Sequence, residues 1–278
     1  MKTIVSHLSP DIDSITSVWL IRRFLPGWSE AEIKFVPAGS TLNNELPDNN
    51  LEIIHVDTGM SRFDHHQTSD YTSASQLVFA YLKEKNHLKK IYIKPLERMT
   101  AQITAFDHFG EVYFPEPVSD HYEFMLHKII EAGLKSILKN DLVINETVFP
   151  FLDAILNIFV KKVNAETEIK KGFVFRSKWG KSIVIETRNE ETIKLALKMG
   201  YFLVAKKDPE KGNVRIKTLP DKKLDLKPLY LEILKHDKKG TWFLHVSGNM
   251  LLNSSSKNPN FIPSSLSLKR LIEIIKSV

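Results

Sequence analysis

The 278-residue sequence contains no cysteine, which excludes disulfides and thiolate metal sites and fits a reducing compartment. No apolar run reads as long enough to span a bilayer. Met1-Lys2 leads straight into a strand-like Thr3-Ile4-Val5, without the charged region, apolar run and cleavage site of a leader. The expectation is a soluble, cytoplasmic protein with no membrane partner. The sequence shows no internal repeat and no low-complexity tract. Its apolar (42%) and charged (26%) fractions are those of an ordinary globular chain, long enough for one large domain or two medium ones.

Charge is unevenly placed. Residues 1–160 hold 14 Lys+Arg against 21 Asp+Glu, a balance of −7, while residues 161–278 hold 25 against 12, a balance of +13. An acidic half suited to cations joined to a basic half suited to a polyanion points to a metal-dependent enzyme acting on phosphates. The plainer alternative is that lysines keep the second half soluble.

Thr3-Ile4-Val5 reads as a short buried strand with His7 just past its end. Ser9-Pro10 turns the chain, and Asp13 or Ser14 then caps a helix running to about Phe24. Further strands are expected at 33–36 and 51–56, and helices at 72–85, from between 88 and 95 to about 106, at 120–138 and at 146–163. The strand, turn, helix, strand rhythm predicts an α/β fold, a mostly parallel N-terminal sheet with helices on both faces. Lys170-Lys171-Gly172 reads as the entry to a smaller C-terminal α/β domain. Strands are expected there at 173–176, 182–186, 201–205, 213–217 and 242–246, with a helix near 190–199. The domains are thus residues 1–115, a helical connector at 116–165, and a basic substrate-binding domain at 166–278.

Acidic and imidazole side chains cluster at the expected element ends, where ligands gather in such sheets. His7, Asp11 and Asp13 lie on one tight turn, and Asp57 ends a central strand, placed to bridge two ions. Asp64-His65-His66 follows, and Asp107-His108 closes a helix. Either His65 or His66 completes one ion, and Asp107 arrives from the far side. A nitrogen and oxygen donor set suits Mn²⁺ or Mg²⁺, and two such ions activate a water and hold a phosphoryl oxygen. Each residue has a plainer reading too: Asp13 as a helix cap, His55 as a core histidine, Asp107-His108 as helix-end decoration. Asp64 is read as orienting a histidine rather than as a ligand.

Four ordered motifs, His7-x-x-x-Asp11-x-Asp13-Ser14, Val56-Asp57, Asp64-His65-His66 and Asp107, resemble those of the DHH phosphoesterases. That family includes RecJ-type nucleases, small-oligonucleotide phosphodiesterases and family II pyrophosphatases. The resemblance implies that His7, Asp11 and Asp57 hold one ion and that Asp13, Asp57, His65 and Asp107 hold the other. It also implies that His66, oriented by Asp64, touches the substrate phosphate as the catalytic pair. The second half looks most like the melanocyte-proliferating-gene type exonucleases, on Arg62-Phe63-Asp64-His65-His66-Gln67 and Trp242-Phe243-Leu244-His245-Val246-Ser247-Gly248. The first motif is closer to RecJ-like members. Where the usual substrate domain has a glycine run and a histidine, this chain has Gly248-Asn249 and the Ser254–Lys257 run.

The substrate-binding candidates are His245, Ser247, Gly248, Asn249, Ser255, Ser256 and Lys257. Small residues and a lysine after a strand let a phosphate approach closely. The function this implies is a two-metal hydrolase, an exonuclease on RNA, single-stranded DNA or short oligonucleotides. The alternatives are a phosphatase or pyrophosphatase on small nucleotides, and a non-catalytic nucleic-acid-binding protein of the same fold.

Overall fold

The computed structural model describes every residue except 254–259, and the chain divides into two compact units, Met1–Val160 and Lys161–Val278. The net charge of −7 therefore lies in the first unit and +13 in the second.

Unit 1 is built on a parallel sheet of order β2-β1-β3, with β1 at Thr3–His7, β2 at Glu32–Val36 and β3 at Ile53–His55. Thr3 through Ser6 are all buried, as a central parallel strand demands. Parallel strands put their carboxyl ends on one edge, so His7 and the residues after His55 emerge together. Helix α1 (Ile12–Phe24) is buried at every position from Ile12 to Ile21, the polar Asp13, Ser14, Thr16 and Ser17 among them. Its cap is Asp11, whose carboxylate accepts the Ser14 N–H at 2.9 Å, not Asp13 or Ser14 as the sequence suggested. Helices α2 (Ala74–Glu84, capped by Ser73) and α3 (Lys90–Asp107) follow, and α3 runs through Pro95.

The single helix expected at 120–138 is broken. A 3₁₀ turn at Asp120–Phe124 ends on extended Met125, a π turn at Ile129–Leu134 contains the poor helix former Gly133, and Lys139 closes the segment at φ +49°. Helix α4, expected at 146–163, extends over Asp141–Lys171. It also corrects the expectation that no apolar run reaches bilayer length, because an 18-residue window within it has a mean hydropathy of 1.5. Ile144, Val148, Leu152 and Leu156, four residues apart, are buried in the same core as Ile4 and Ile54, which accounts for the apolarity of that face.

Unit 2 is a six-stranded mixed sheet of order β4-β5-β6-β7-β9-β8. The strands are Phe173–Ser177, Gly180–Glu186, Leu203–Lys207, Val214–Thr218, Trp242–Leu244 and Met250–Asn253 for β4 to β9 in turn. Helix α5 (Glu191–Lys198) and the end of α4 cover one face through Ile169, Ile193 and Ala196. Helices α6 (Lys227–His236) and α7 (Leu268–Ser277) cover the other through Leu229, Ile233, Leu271, Ile274 and Ile275. Gly172, between α4 and β4, sits where a Cβ would lie 2.7 Å from Ile183 Cδ1, so a larger residue forces the packing apart. Helix α6 and strand β9 have no counterpart in the sequence reading.

Candidate metal centre

The loop after β1 carries Ser9 at φ +55°, tied by its N–H to Asp141 Oδ2 (2.9 Å) and by its carbonyl to Lys135 Nζ (3.0 Å). That tether holds His7 and Asp11 at the sheet edge. His7 Nδ1 bonds the Leu8 carbonyl at 2.8 Å, which makes Nδ1 the donor and turns Nε2 inward. Nε2 then lies 3.3 Å from Asp57 Oδ2 and 3.9 Å from Asp11 Oδ2.

Asp57 is the centre of the arrangement. Its N–H bonds the Phe63 carbonyl at 3.0 Å, and its backbone takes φ +56°, a conformation costly for a side chain with a Cβ. The strained turn aims a buried carboxylate between two imidazoles: Oδ2 faces His7, while Oδ1 lies 3.3 Å from His65 Nε2 and 3.8 Å from His66 Nδ1. His65 Nε2 in turn lies 3.5 Å from Asp107 Oδ2, at the last residue of α3. The ligand atoms fall into three overlapping groups, each within 4.8 Å: His7, Asp11 and Asp57; Asp57, His65 and His66; His65, Asp107 and His108.

Asp64 does not point at this row. Its buried carboxylate accepts the Met60 N–H (2.7 Å), the His66 N–H (3.1 Å) and His66 Nδ1 (2.7 Å). The His66 ring is thereby fixed with Nδ1 as donor and Nε2 free, and its side chain is 59% exposed. Asp13 is fully buried and accepts the N–H groups of Ala74 (2.8 Å) and Ser75 (3.0 Å), pinning the start of α2. No three-residue group among the described residues includes it. His108 Nε2 bonds the Thr72 carbonyl at 2.8 Å. His55 is a core histidine whose Nε2 accepts the Leu42 N–H at 3.0 Å, and burial lowers its pKa.

The electrostatics describe a site that calls for cations. Burial, then the neighbouring Asp57 and Asp11, raise Asp13 to about 7. Burial raises Asp107 to about 6 against the pull of His65. Burial also works against the Asp57 carboxylate, yet His65 and His7 hold it at about 2. His65 is raised to about 9, chiefly by Asp57. His7 also rises to about 9, because Asp57, the Leu8 carbonyl and Asp11 outweigh the desolvation that favours a neutral ring. The crowded carboxylates draw protons onto His7, His65, Asp13 and Asp107, and a metal ion satisfies the same demand. Asp57 Oδ1 and His65 Nε2 are both buried without a hydrogen-bond partner, a state that protein structures avoid unless a ligand completes it. These residues fit a divalent ion with oxygen and imidazole ligands.

In unit 2, the segment read as a substrate loop is the turn of a β8–β9 hairpin. His245 Nδ1 bonds Ser247 Oγ at 2.9 Å and accepts the Ser247 N–H at 3.2 Å, while Gly248, at φ +73°, donates its N–H to the His245 carbonyl. Asn249 Nδ2 is bound to Thr218 Oγ1 (3.0 Å) and the Asp221 carbonyl (2.8 Å). The Gly248 N–H and the Asn249 side-chain amide are therefore spent on the turn, while no hydrogen bond among the described residues uses His245 Nε2. Ser255, Ser256 and Lys257 lie outside the described residues.

No family model matches the sequence, and no curated protein matches it. Among solved structures the chain is similar to RecJ from Thermus thermophilus, solved in complex with Mg²⁺, at 13% identity and a TM-score of 0.34 over 99% of this chain and 49% of that one. It thus spans about half the length of that RecJ chain. It is also similar to an exopolyphosphatase-related protein from Bacteroides fragilis, at 13% identity and a TM-score of 0.30 over 99% of this chain and 90% of that one. A third likeness is to the DHH domain of a member of a family of ribosomal proteins, at 11% identity and a TM-score of 0.31, covering 99% and 86% of the two chains.

The structure brings His7, Asp11, Asp57, His65, His66 and Asp107 together, with Asp64 bonded to His66 and Asp13 bonded to the start of α2. Sequence reasoning missed what fixes them, namely the positive φ at Asp57 and the tether of Ser9 to Asp141 and Lys135. A positive φ at an aspartate leaves no mark in a sequence. The tether joins residues 132 positions apart.

Proposed function

We propose that the chain is a DHH-type, two-metal phosphodiesterase, an exonuclease that releases nucleotides from an end of RNA, single-stranded DNA or short oligonucleotides. The observation that carries the reading is Asp57, a buried carboxylate in a strained turn whose two oxygens face different imidazoles and whose Oδ1 has no hydrogen bond. His7, Asp11 and Asp57 would hold one ion, and Asp13, Asp57, His65 and Asp107 the other, with Mn²⁺ or Mg²⁺ suited to both sites. When bound, the ions supply an acidified water and charge stabilisation for the phosphoryl oxygens.

The chain's own groups do the rest. Asp64 holds the His66 ring through Nδ1 and leaves Nε2 as the atom that would meet a phosphate oxygen. The His7 bond to Leu8 keeps its Nε2 directed at Asp57 and Asp11. In unit 2, His245 Nε2 is the group placed to meet a phosphate, with Ser247 orienting its ring and Ser255, Ser256 and Lys257 as further donors. The positive balance of +13 in that unit favours a polyanion over a single phosphate.

The test is release of mononucleotides from end-labelled short RNA and DNA with Mn²⁺, with Mg²⁺ and with chelator, beside an Asp57→Ala control. Metal-dependent release that disappears in the control supports the reading, and the label gives the polarity. Hydrolysis confined to pyrophosphate or small nucleotides replaces it with the small-phosphate reading. Tight, salt-sensitive binding without hydrolysis replaces it with a binding protein.

A further inference from the structure

Among the described residues, helices cover only half of one face of the unit 2 sheet. Directly paired residues on neighbouring strands share a face, so the register can be followed across it. Ile183 and Ile185 on β5, with Val204 on β6, lie under α5 and the end of α4, packed against Ile169, Ile193 and Ala196. The same row continues from Lys206 to Arg215 on β7, to Leu252 on β9 and to Phe243 on β8. The next row runs from Val204 to Lys217 and to Met250, whose carbonyl accepts the His245 N–H. Beyond β6 no helix covers these rows among the described residues. Met250, Leu252 and Phe243 join none of the core clusters, and Phe243 is 56% exposed.

The cations beside these apolar groups are partly held in place and partly free. Lys206 is buried, with Nζ 2.6 Å from Glu190 Oε1 and 3.3 Å from the Arg188 carbonyl, and the other Glu190 oxygen takes Arg215 Nη1. One carboxylate thus serves two cations and lays the Arg215 guanidinium along the sheet. Arg215 Nε remains buried without a hydrogen-bond partner, and Lys217 has no ion pair among the described residues. Lys206 and Arg215 share the Glu190 carboxylate, and Lys217 adds a cation without an ion pair among the described residues to a surface that also carries the exposed Phe243 ring.

We infer that this open half-sheet of β7, β9 and β8 is a platform for single-stranded nucleic acid. Phe243 stacks a base, Leu252 and Met250 carry its neighbour, and Arg215 and Lys217 meet phosphates. The occupant follows from the chemistry. Apolar and aromatic groups interleaved with cations match a strand that presents ring faces and phosphates in alternation. Three strands span about 10 Å, a width that takes one strand and about two or three nucleotides. The +13 balance of unit 2 is complementary to such a polyanion. Phe243 lies edge-on to His245, with ring centroids 6.4 Å apart, so the platform is continuous with the proposed phosphate-binding turn. The inference rests on the nucleic-acid reading above and names the surface that holds the substrate strand.

The test is fluorescence anisotropy of the full chain with a labelled single strand of about 12 nucleotides, in chelator so that hydrolysis is silent. Phe243→Ala is expected to weaken binding about fivefold or more, the range of one lost base stack. Lys217→Glu is expected to weaken it and to lower the slope of log affinity against log salt by about one phosphate contact. Both sites are at the surface, and unchanged thermal melting shows that the variants fold. Parental affinity and salt slope in both variants overturn the inference, as does displacement of the strand by polyglutamate as readily as by unlabelled oligonucleotide. Absence of strand binding by the parent overturns it as well. Because binding is measured without metal, a chain that binds as expected but hydrolyses nothing with Mn²⁺ refutes the catalytic reading alone.

Discussion

His65 Nε2 stands 3.3 Å from Asp57 Oδ1, and neither atom has a hydrogen bond. Two buried groups of opposite tendency are thus held close in a geometry that leaves each incomplete. A cation between or beside them would complete both, at the pair that links all three ligand groups, Asp57 belonging to one neighbouring group and His65 to the other. Replacing Asp57 with Asn should therefore remove more than one contact. Mn²⁺ affinity by calorimetry is expected to fall by more than the 10- to 100-fold typical of losing a supporting residue. The rise in melting temperature that Mn²⁺ gives the parent should largely vanish. An Asp57→Asn variant that binds Mn²⁺ like the parent would remove Asp57 from the centre.

Metal binding should release protons. His7 and His65 are both raised to about 9, so each is protonated in the metal-free protein at pH 7.5, and each must lose its proton to become a ligand. About two protons per chain are expected on Mn²⁺ binding at that pH. Titration calorimetry in buffers of different ionisation enthalpy measures the number. No buffer dependence at pH 7.5 would contradict the geometry around Asp57.

The same groups set the pH dependence of the metal-free protein. A base whose pKa rises from 6.5 to about 9 on folding contributes stability that is complete below 6.5 and is lost as pH climbs through 9. Asp107 and Asp13, raised to about 6 and about 7, act in the same direction, because their protonated forms favour the folded state and are lost as pH rises. Asp57 acts oppositely, but its contribution is complete above its ordinary 3.8 and is lost only as pH falls towards 2. From pH 6 to 9 the urea midpoint in chelator should fall steadily. With saturating Mn²⁺ the fall should be blunted or reversed. A midpoint that rises in chelator over that range would contradict the assignment.

Much of this centre was legible in the sequence, because parallel strands put their carboxyl ends together and the motif residues sit at those ends. The roles of Asp11 and Asp13 were harder to separate. Each aspartate near a helix start has a side chain able to cap it, and the choice is settled by Ser14 N–H for Asp11 and by Ala74 and Ser75, some sixty positions away, for Asp13. Strand β9 was invisible for a related reason. Met250-Leu251-Leu252-Asn253 has no polar-apolar alternation, since Leu251 faces the core and its neighbours face an open, partly apolar surface. Only the pairing with β7 and β8 defines it.

Asp64 separates orientation from ligation. Asp64→Asn should leave Mn²⁺ affinity near the parental value, since the carboxylate bonds His66 and the Met60 N–H instead of joining the ligand row. It should lower kcat by roughly 10- to 100-fold through loss of the fixed His66 ring. His66→Ala is expected to have a similar effect on kcat with little change in melting, because the ring is largely exposed. Additive losses in the double variant would show that the two residues act independently, against the contact described here.

Asp13 makes the sharpest contrast with Asp57, because its carboxylate closes a structural gap as well as lying beside the centre. Asp13→Ala would leave the Ala74 and Ser75 N–H groups buried at the start of α2 with no acceptor. Each unsatisfied group costs about 1–3 kcal/mol. Removing the acid also removes the burial penalty and like-charge repulsion that raise its pKa from 3.8 to about 7, an offset that is partial at pH 5, between those two values, and complete only above pH 7. In chelator, the urea-derived stability of Asp13→Ala should therefore fall by about 2 kcal/mol or more at pH 5, with a smaller deficit at pH 8. A deficit that grows between pH 5 and pH 8 would mean that the parental carboxylate is stabilised in its charged form, and that the N–H groups of α2 outweigh its acidic neighbours.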